Sequence, residues 1–370
     1  MGFDWRVIEA ELASLLASLG AVRIDRDRVE YFARQIAGGR LGPGSNQLPG
    51  VPEPVAREGI DRLEALSSGT RDRAARLGRE AIARGEVAVA VLNGGMATRF
   101  GGAVKGIVEV FDGRSFLEIK LEQALAQGPA PFVIMNSFAT HRPTLEFLER
   151  RGLAARALPF LQDVSLRLTP QGELLRDAAG ALSPYAPGHG DFVDALMDSG
   201  TLDRLRERGV RCLLLSNVDN LGAELDPLVI GYHLQHGRPL TVELAEARPD
   251  DVGGTVVRWA GCLQLVEGFR FPPGFDWKRV RYLNTNTFVL SLEVLERRYP
   301  FSWFYVEKNV AGLKAVQMER LMGELSAFVP SAFLASAREG PSGRFLPVKT
   351  PEDLDRMRGD PALRERFGRR

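Results

Sequence analysis

The sequence predicts an α/β protein with a mixed, mostly parallel sheet and an N-terminal helical region, on three observations. From residue 87 onward, apolar runs end in polar or Gly-rich turns: VAVAVLNGGMATRFGG (87–102), PFVIMNS (131–137) and VRCLLLSNVDN (210–220). Segments of helical periodicity separate them, and strands alternating with helices indicate a parallel sheet covered on both faces. Before residue 85, apolar residues instead recur at three and four positions, the period of amphipathic helices.

In residues 1–84 that period appears in WRVIEAELASLLASL, RVEYFARQIA, VAREGIDRLEAL and RAARLGREAIARG, with the long Gly/Pro connection GGRLGPGSNQLPGVPEP among them. This region is expected to pack on the core, and its Gly/Pro loop is free of any required functional role. Residues 85–335 carry the main α/β pattern. A helix is expected near 140–151, and LDPLVIGYHLQHG (225–237) reads as a helix stopped by Gly237. PLTVELAEA (239–247) reads as a strand and TVVRWAGCLQLVE (255–267) as a hairpin. Residues 336–370 form a short C-terminal segment that carries Lys349.

Composition removes several classes of function. The chain has 370 residues, 45% hydrophobic and 26% charged, enough for one large or two modest domains. Its 48 basic and 47 acidic residues leave a net charge of +1, so no global field attracts nucleic acid or an anionic membrane. The N-terminal MGFDWRVIEAELASL carries acids too early for a signal peptide, and no apolar run reaches the roughly 18 residues of a membrane span. Cys212 and Cys262 both lie in apolar stretches and are expected to be free, buried thiols of a cytoplasmic protein. His141, His189, His233 and His236 show no zinc spacing.

The stretch from Asn93 to Gly102 is the first candidate site. Its glycines let backbone N–H groups approach an anion, and Arg99 offers a forked, permanently charged partner for phosphate. Read alone, it is equally the turn of an ordinary α/β crossover. In parallel sheets the ligand crevice lies at the carboxyl ends of strands, so Asn93, Asn136 and Asp219 are expected on one rim. A lone carboxylate together with phosphate oxygens is a common way to hold Mg²⁺, although Asp219 and Asn220 would also suit a plain turn or cap. Asp191 is placed to cap the helix that follows it.

Taken together, NGGMATRFGG (93–102), MNSFAT (135–140), PFLQ (159–162), APGHGD (186–191), SNVDNLGAELD (216–226), DDVGGT (250–255), LNTNTF (283–288), VQMERLMG (316–323) and RFLPVKTPEDL (344–354) resemble, in order, the motifs of the UTP:glucose-1-phosphate uridylyltransferases. These are the eukaryotic-type UDP-glucose pyrophosphorylases, within the sugar nucleotidyltransferases. The resemblance does not clearly cover residues 1–84. It implies a Rossmann-like, GT-A-like nucleotidyltransferase sheet. It also implies transfer of a uridylyl group from UTP to a sugar 1-phosphate, most simply glucose 1-phosphate, with pyrophosphate released and Mg²⁺ as cofactor.

The resemblance assigns Asn93, Gly94, Gly95, Thr98, Gln162, Gly188, His189 and Gly190 to the nucleotide, with the backbone of Gly188 and Gly190 and the Gln162 amide at the uracil edge. It assigns Asn217, Gly253, Gly254, Asn284 and Asn286 to the sugar and Asp219 to the metal. Arg99, Lys105 and Lys349 neutralise phosphate charge. Spacing alone would leave Lys349 a surface charge; the resemblance gives it the α-phosphate. Lys308, in VEKNVAG, also resembles a family lysine. The nucleophile is already an anion, so no general base is required.

Three departures from the family stand out. Ala97 occupies a position that is usually glycine, and AVKGIVEV replaces the usual Pro-Lys, so Lys105 stands in for that lysine. The family's C-terminal left-handed β-helix is not matched by the residues after Lys349, and an oligomer is not implied. Two other functions stay open at this point. One is the same reaction on N-acetylglucosamine or galactose 1-phosphate; the other is a non-catalytic nucleotide-sugar-binding protein.

Overall fold

Burial on both faces accounts for the central strands. A computed structural model describes residues 3–19, 24–94, 102–248, 251 and 253–368. Its main sheet holds, in chain order, β1 (Ile60–Arg62), β2 (Val87–Asn93), β3 (Phe132–Asn136), β4 (Ala157–Leu161), β5 (Cys212–Asn217), β6 (Leu240–Glu246), β7 (Tyr282–Ser291) and β8 (Ser331–Ser336). Their order across the sheet is β1-β8-β6-β7-β5-β2-β3-β4. Neighbours pair in parallel except at β7, which is antiparallel to both β6 and β5. The sheet is therefore mixed and mostly parallel, as the alternation of strands and helices predicts.

Every residue of β2 is buried. Val87, Val89 and Val91 enter one core with Phe116, Ile134 and Leu214, whereas Ala88, Ala90 and Leu92 enter the other with Met135, Phe192 and Leu213. Two packed faces explain why β2 lacks polar alternation. The helix Pro227–His236 starts on an Asp226 cap with proline at its first position and stops at Gly237, where φ is 67°. It crosses Ser68–Ala83 with backbones in contact. A methyl group on Gly78 would overlap the Pro227 carbonyl, and one on Gly231 would overlap the Ala74 carbonyl.

Part of the N-terminal region departs from its helical pattern. VAREGIDRLEAL does not form a helix: Ile60–Arg62 pairs in parallel with β8 as an edge strand, and Leu63–Ala65 is a short 3-10 turn. Long-range backbone pairing here outweighs a local apolar period. Glu53–Pro54 likewise pairs with Thr255–Trp259, the first arm of the predicted hairpin with Cys262–Val266. The helices Trp5–Leu19 and Arg26–Ala37 contribute Ile8, Leu12, Phe32 and Ile36 to a separate cluster with Tyr305, Val316 and Met318. They thereby support the hairpin Phe304–Val310 and Leu313–Glu319, and Asn46 of the Gly/Pro loop bonds both the N–H and the carbonyl of Tyr305.

Cys212 is buried, and burial pushes its thiol up to about 12. Cys262, expected inside, is exposed because it sits at the turn of the Thr255–Val266 hairpin. Among the described residues no helix is long and apolar enough to cross a membrane.

The crossing of the two glycine-bearing helices gives a direct stability test. Gly231→Ala should lower urea-measured stability by about 2 kcal/mol or more through overpacking. Gly69→Ala, in open space on the helix Ser68–Ala83, should change stability by less than about 1 kcal/mol.

Candidate active site

Parallel pairing gathers the carboxyl ends of β2, β3 and β5 at one edge of the sheet. Asn93 stands opposite Asn136, and Asn217 opposite Leu92. A cavity of about 810 Å³ opens at this edge, and its wall includes Asn93, Gly94, Lys105, Gln162, Gly188, His189, Asn217 and Asp219. Asn93 and Asp219 thus reach the expected rim from stretches far apart in sequence, whereas Asn136 ends at the same edge but is fully buried and outside the cavity wall.

Asp219 lies just beyond β5, and Lys105 Nζ donates to its Oδ2 at 2.7 Å and to the Val348 carbonyl at 2.9 Å. The altered sequence AVKGIVEV therefore does bring a cation to the rim aspartate, from the 3-10 turn Lys105–Ile107. Their side chains are only 21% and 14% exposed, so water screens this pair less than a surface ion pair.

Asn220, read from sequence as a turn residue, does more. It is buried; its Oδ1 accepts from the Leu346 N–H at 2.8 Å, and its Nδ2 donates to the Arg344 carbonyl at 3.1 Å. These bonds dock the C-terminal segment and bring Val348 to Lys105. Lys349 follows at once, but it is exposed and outside the cavity wall, with its own N–H bonded to the Asp353 carboxylate at 2.8 Å.

At the other end of the cavity, the Gln162 amide nitrogen lies against Gly94, where any Cβ would overlap it. The Gln162 Oε1 is buried and, among the described residues, has no partner. A buried acceptor left without a donor is costly, so this position suits a ligand N–H. Gly188 has φ 89°, and a Cβ there would crowd the Arg320 carbonyl. His189 Nδ1 accepts from the Met322 N–H at 3.1 Å, which leaves the ring proton on Nε2. Burial lowers its pKa to about 4, so the ring is neutral near pH 7.

Two expectations change here. Gly190 is outside the wall, and its N–H already donates to the Arg320 carbonyl at 2.9 Å, so it cannot offer that donor to a base. Asp191 does not cap the helix Phe192–Asp198 with its side chain; the buried carboxylate instead pairs with Arg320 and accepts from the Asp163 N–H at 2.6 Å. Asn93 lines the cavity; its amide nitrogen is engaged by Asn136 Oδ1 at 2.7 Å and Thr144 Oγ1 at 3.0 Å, and among the described residues its buried Oδ1 has no partner. Beside Gln162, burial and then Asp191 push the Asp163 carboxyl up to about 7.

The proposed sugar readers form a chain of contacts running from Asn217 away from the cavity. Asn286 Nδ2 donates to Asn217 Oδ1 at 2.9 Å, and the Asn286 N–H donates to Asn284 Oδ1 at 2.9 Å. The Asn284 N–H donates to the Gly254 carbonyl at 2.9 Å. Between β6 and β7 the register jumps from Glu243–Thr287 to Leu244–Asn284, and within this bulge Asn286 has φ 54°. Bulges re-aim side chains, and asparagine tolerates the left-handed region. Glu267, absent from the sequence reading, joins the group: its Oε1 accepts from Asn284 Nδ2 at 3.5 Å, and burial raises its pKa. Gly253 and Gly254 lie beside this chain and outside the cavity wall. Lys308 lines the wall and pairs with Glu319 at 3.7 Å. Gly95, Ala97, Thr98 and Arg99 lie outside the described residues.

The sequence model of the family described as UTP–glucose-1-phosphate uridylyltransferase matches residues 53–361. The chain is 30% identical over 296 residues to the protein of that name from Solanum tuberosum, covering 74% of this chain and 61% of that one. It is 29% identical over 308 residues to the Saccharomyces cerevisiae protein of the same name, covering 74% and 60%. The chain thus spans about three fifths of the length of these relatives. A Leishmania major UDP-glucose pyrophosphorylase, solved in complex with UDP-glucose, superposes with a TM-score of 0.69 at 27% identity, over 88% of this chain and 73% of that one. The Trypanosoma brucei uridine diphosphate N-acetylglucosamine pyrophosphorylase shares the fold, with a TM-score of 0.73 at 19% identity, over 94% and 79%.

Asn220→Ala should release the docked segment, because two backbone groups lose their buried partner. The expected loss is about 2 kcal/mol in denaturant unfolding, together with faster amide exchange in residues 344–350 than elsewhere.

Proposed function

Because the chain belongs to the UTP–glucose-1-phosphate uridylyltransferase family, we propose that it transfers a uridylyl group from UTP to a sugar 1-phosphate, with glucose 1-phosphate preferred. The products are UDP-glucose and pyrophosphate. The observation that carries this reading is the Lys105–Asp219 pair inside one cavity, between the unpartnered Gln162 Oε1 and the Asn217–Asn286 amides. A base N–H would satisfy Gln162. Sugar hydroxyls, which donate and accept, suit the amides, and among the described residues Asn286 Oδ1 is itself a buried acceptor without a partner.

A phosphate oxygen of the sugar 1-phosphate attacks the α-phosphorus of UTP in line, the new P–O bond forms, and pyrophosphate departs with the electrons of the breaking bond. The attacking oxygen is already anionic, so no side chain has to remove a proton. Neutral His189 is therefore assigned a binding role, not that of a base. The chain's contribution is positioning and charge neutralisation. Lys105, Arg99 and Lys349 are assigned to phosphate oxygens, with Lys349 next to the carbonyl that holds Lys105.

A magnesium ion fits this chemistry only as a site shared with substrate. Among the described residues no group of three or more His, Cys, Asp or Glu side chains could cage a metal. Asp219 has one oxygen paired with Lys105, and among the described residues no hydrogen bond is made to the other, Oδ1, which suits an ion completed by phosphate oxygens and water. Bound there, it would supply further neutralisation of phosphate charge. A cytoplasmic location is proposed with this function, in keeping with the two free cysteines.

Mixing the protein with UTP, Mg²⁺ and a panel of sugar 1-phosphates should release pyrophosphate fastest with glucose 1-phosphate. Absence of release with every member would overturn the reading, and faster release with another sugar would reassign the substrate. Lys349→Ala should lower kcat by about 100-fold or more with unchanged thermal unfolding. Asp219→Ala should abolish the rate gained on adding Mg²⁺.

A further inference from the structure

Beneath the Asp219 loop lies a lysine that no motif of the sequence includes. Lys120, on the helix Phe116–Gln127, is 3% exposed, and its Nζ donates to Ser216 Oγ at 3.0 Å and to the Ala223 carbonyl at 3.0 Å. Those two acceptors bracket residues 217–222, the turn that carries Asn217, Asp219 and Asn220.

Among the described residues no carboxylate lies within ion-pairing reach of Lys120. The charged groups that face it are Glu224, Arg344, Asp219 and Glu243. Two of them are already paired with each other, Arg344 Nε donating to Glu243 Oε2 at 2.8 Å, and Asp219 is paired with Lys105. A buried ammonium held by neutral oxygens is a poor way to gain stability. Methionine or leucine would fill the same space without the desolvation cost.

We propose that Lys120 is a positioning residue of the active site, whose buried ammonium ties Ser216 to Ala223, sets the Asn217–Asp219 turn and adds positive charge beneath it. Its effect on catalysis rests on the proposed function; its effect on the turn does not. Burial lowers the Lys120 pKa to about 7, with Arg344 acting in the same direction and the three carboxylates opposing. The group is therefore charged below that pH and neutral above it. An anionic ligand at the turn is held more tightly at the lower pH.

The test pairs Lys120→Met, which keeps length without charge, with Lys120→Arg, which keeps charge at all accessible pH. In the ligand-free wild type, the Lys120 ε-carbon and the Asn217 and Asp219 amides should shift in NMR with one shared midpoint near neutral pH. In both variants that step should vanish from the two amides. Calorimetry with UDP-glucose, whose diphosphate does not titrate in this range, should give an affinity about fivefold weaker at about pH 8.5 than at about pH 6 in the wild type, and in both variants only the smaller dependence that Asp163, pushed up to about 7 beside Gln162, contributes. Amides that ignore the Lys120 titration, or identical pH dependence in wild type and Lys120→Met, would overturn the proposal. If UDP-glucose binds none of the three proteins, the functional assignment falls and the NMR titration alone decides the role of Lys120. If Lys120→Met does not fold, the wild type and Lys120→Arg supply the same comparison.

Discussion

Seven consecutive buried residues in Val87–Asn93, paired in parallel on both sides, constrain everything around them. Such a strand cannot slip by one residue without exchanging its valine face for its alanine and leucine face, and each face fits a different core. With register held, the carboxyl ends of β2, β3 and β5 must collect on one edge. Chain leaving those ends enters the same space, and the cavity lies there for that reason.

A second constraint comes from β7, the one strand of the main sheet that runs against its neighbours. An antiparallel strand brings its amino half to the edge where parallel neighbours end, and β7 starts beyond the end of β5, so its middle reaches the cavity edge. The bulge at Thr285 and Asn286 turns that geometry to use by aiming the Asn286 amide at Asn217. Thr285 Oγ1 anchors the bulge on the Glu243 carbonyl at 2.7 Å. Among the described residues, buried acceptors without a partner include Asn286 Oδ1 here and Gln162 Oε1 at the other end of the cavity, and both are tolerable in a site that a polar ligand completes.

Charge is supplied from three separated segments, and buried contacts hold them in place. Asn220 docks the segment around Leu346, whose continuation presents the Val348 carbonyl to Lys105, and Lys105 in turn pairs with Asp219. Arg344, wholly buried, pairs with Glu243 and donates to the Glu224 carbonyl at 3.1 Å, tying the same segment to the sheet. Removing one partner from such an arrangement costs more than the bond itself, because the other is left buried and alone.

The sequence by itself determined the mostly parallel sheet, the helix ending at Gly237, the hairpin at 255–267 and the placing of Asn93 and Asp219 on one rim. These follow from local rules: apolar runs, glycine stops and the geometry of parallel strands. The tertiary structure alone decided that Ile60–Arg62 is an edge strand, that Gly190 and Asp191 face Arg320, and that Cys262 is exposed. It also decided that Asn220, Glu267 and Lys120 belong to the site's surroundings. Each of these depends on which distant backbone or charge a residue meets. Neither periodicity nor spacing carries that information, because the partner is selected only when the sheet closes its register and the C-terminal segment docks.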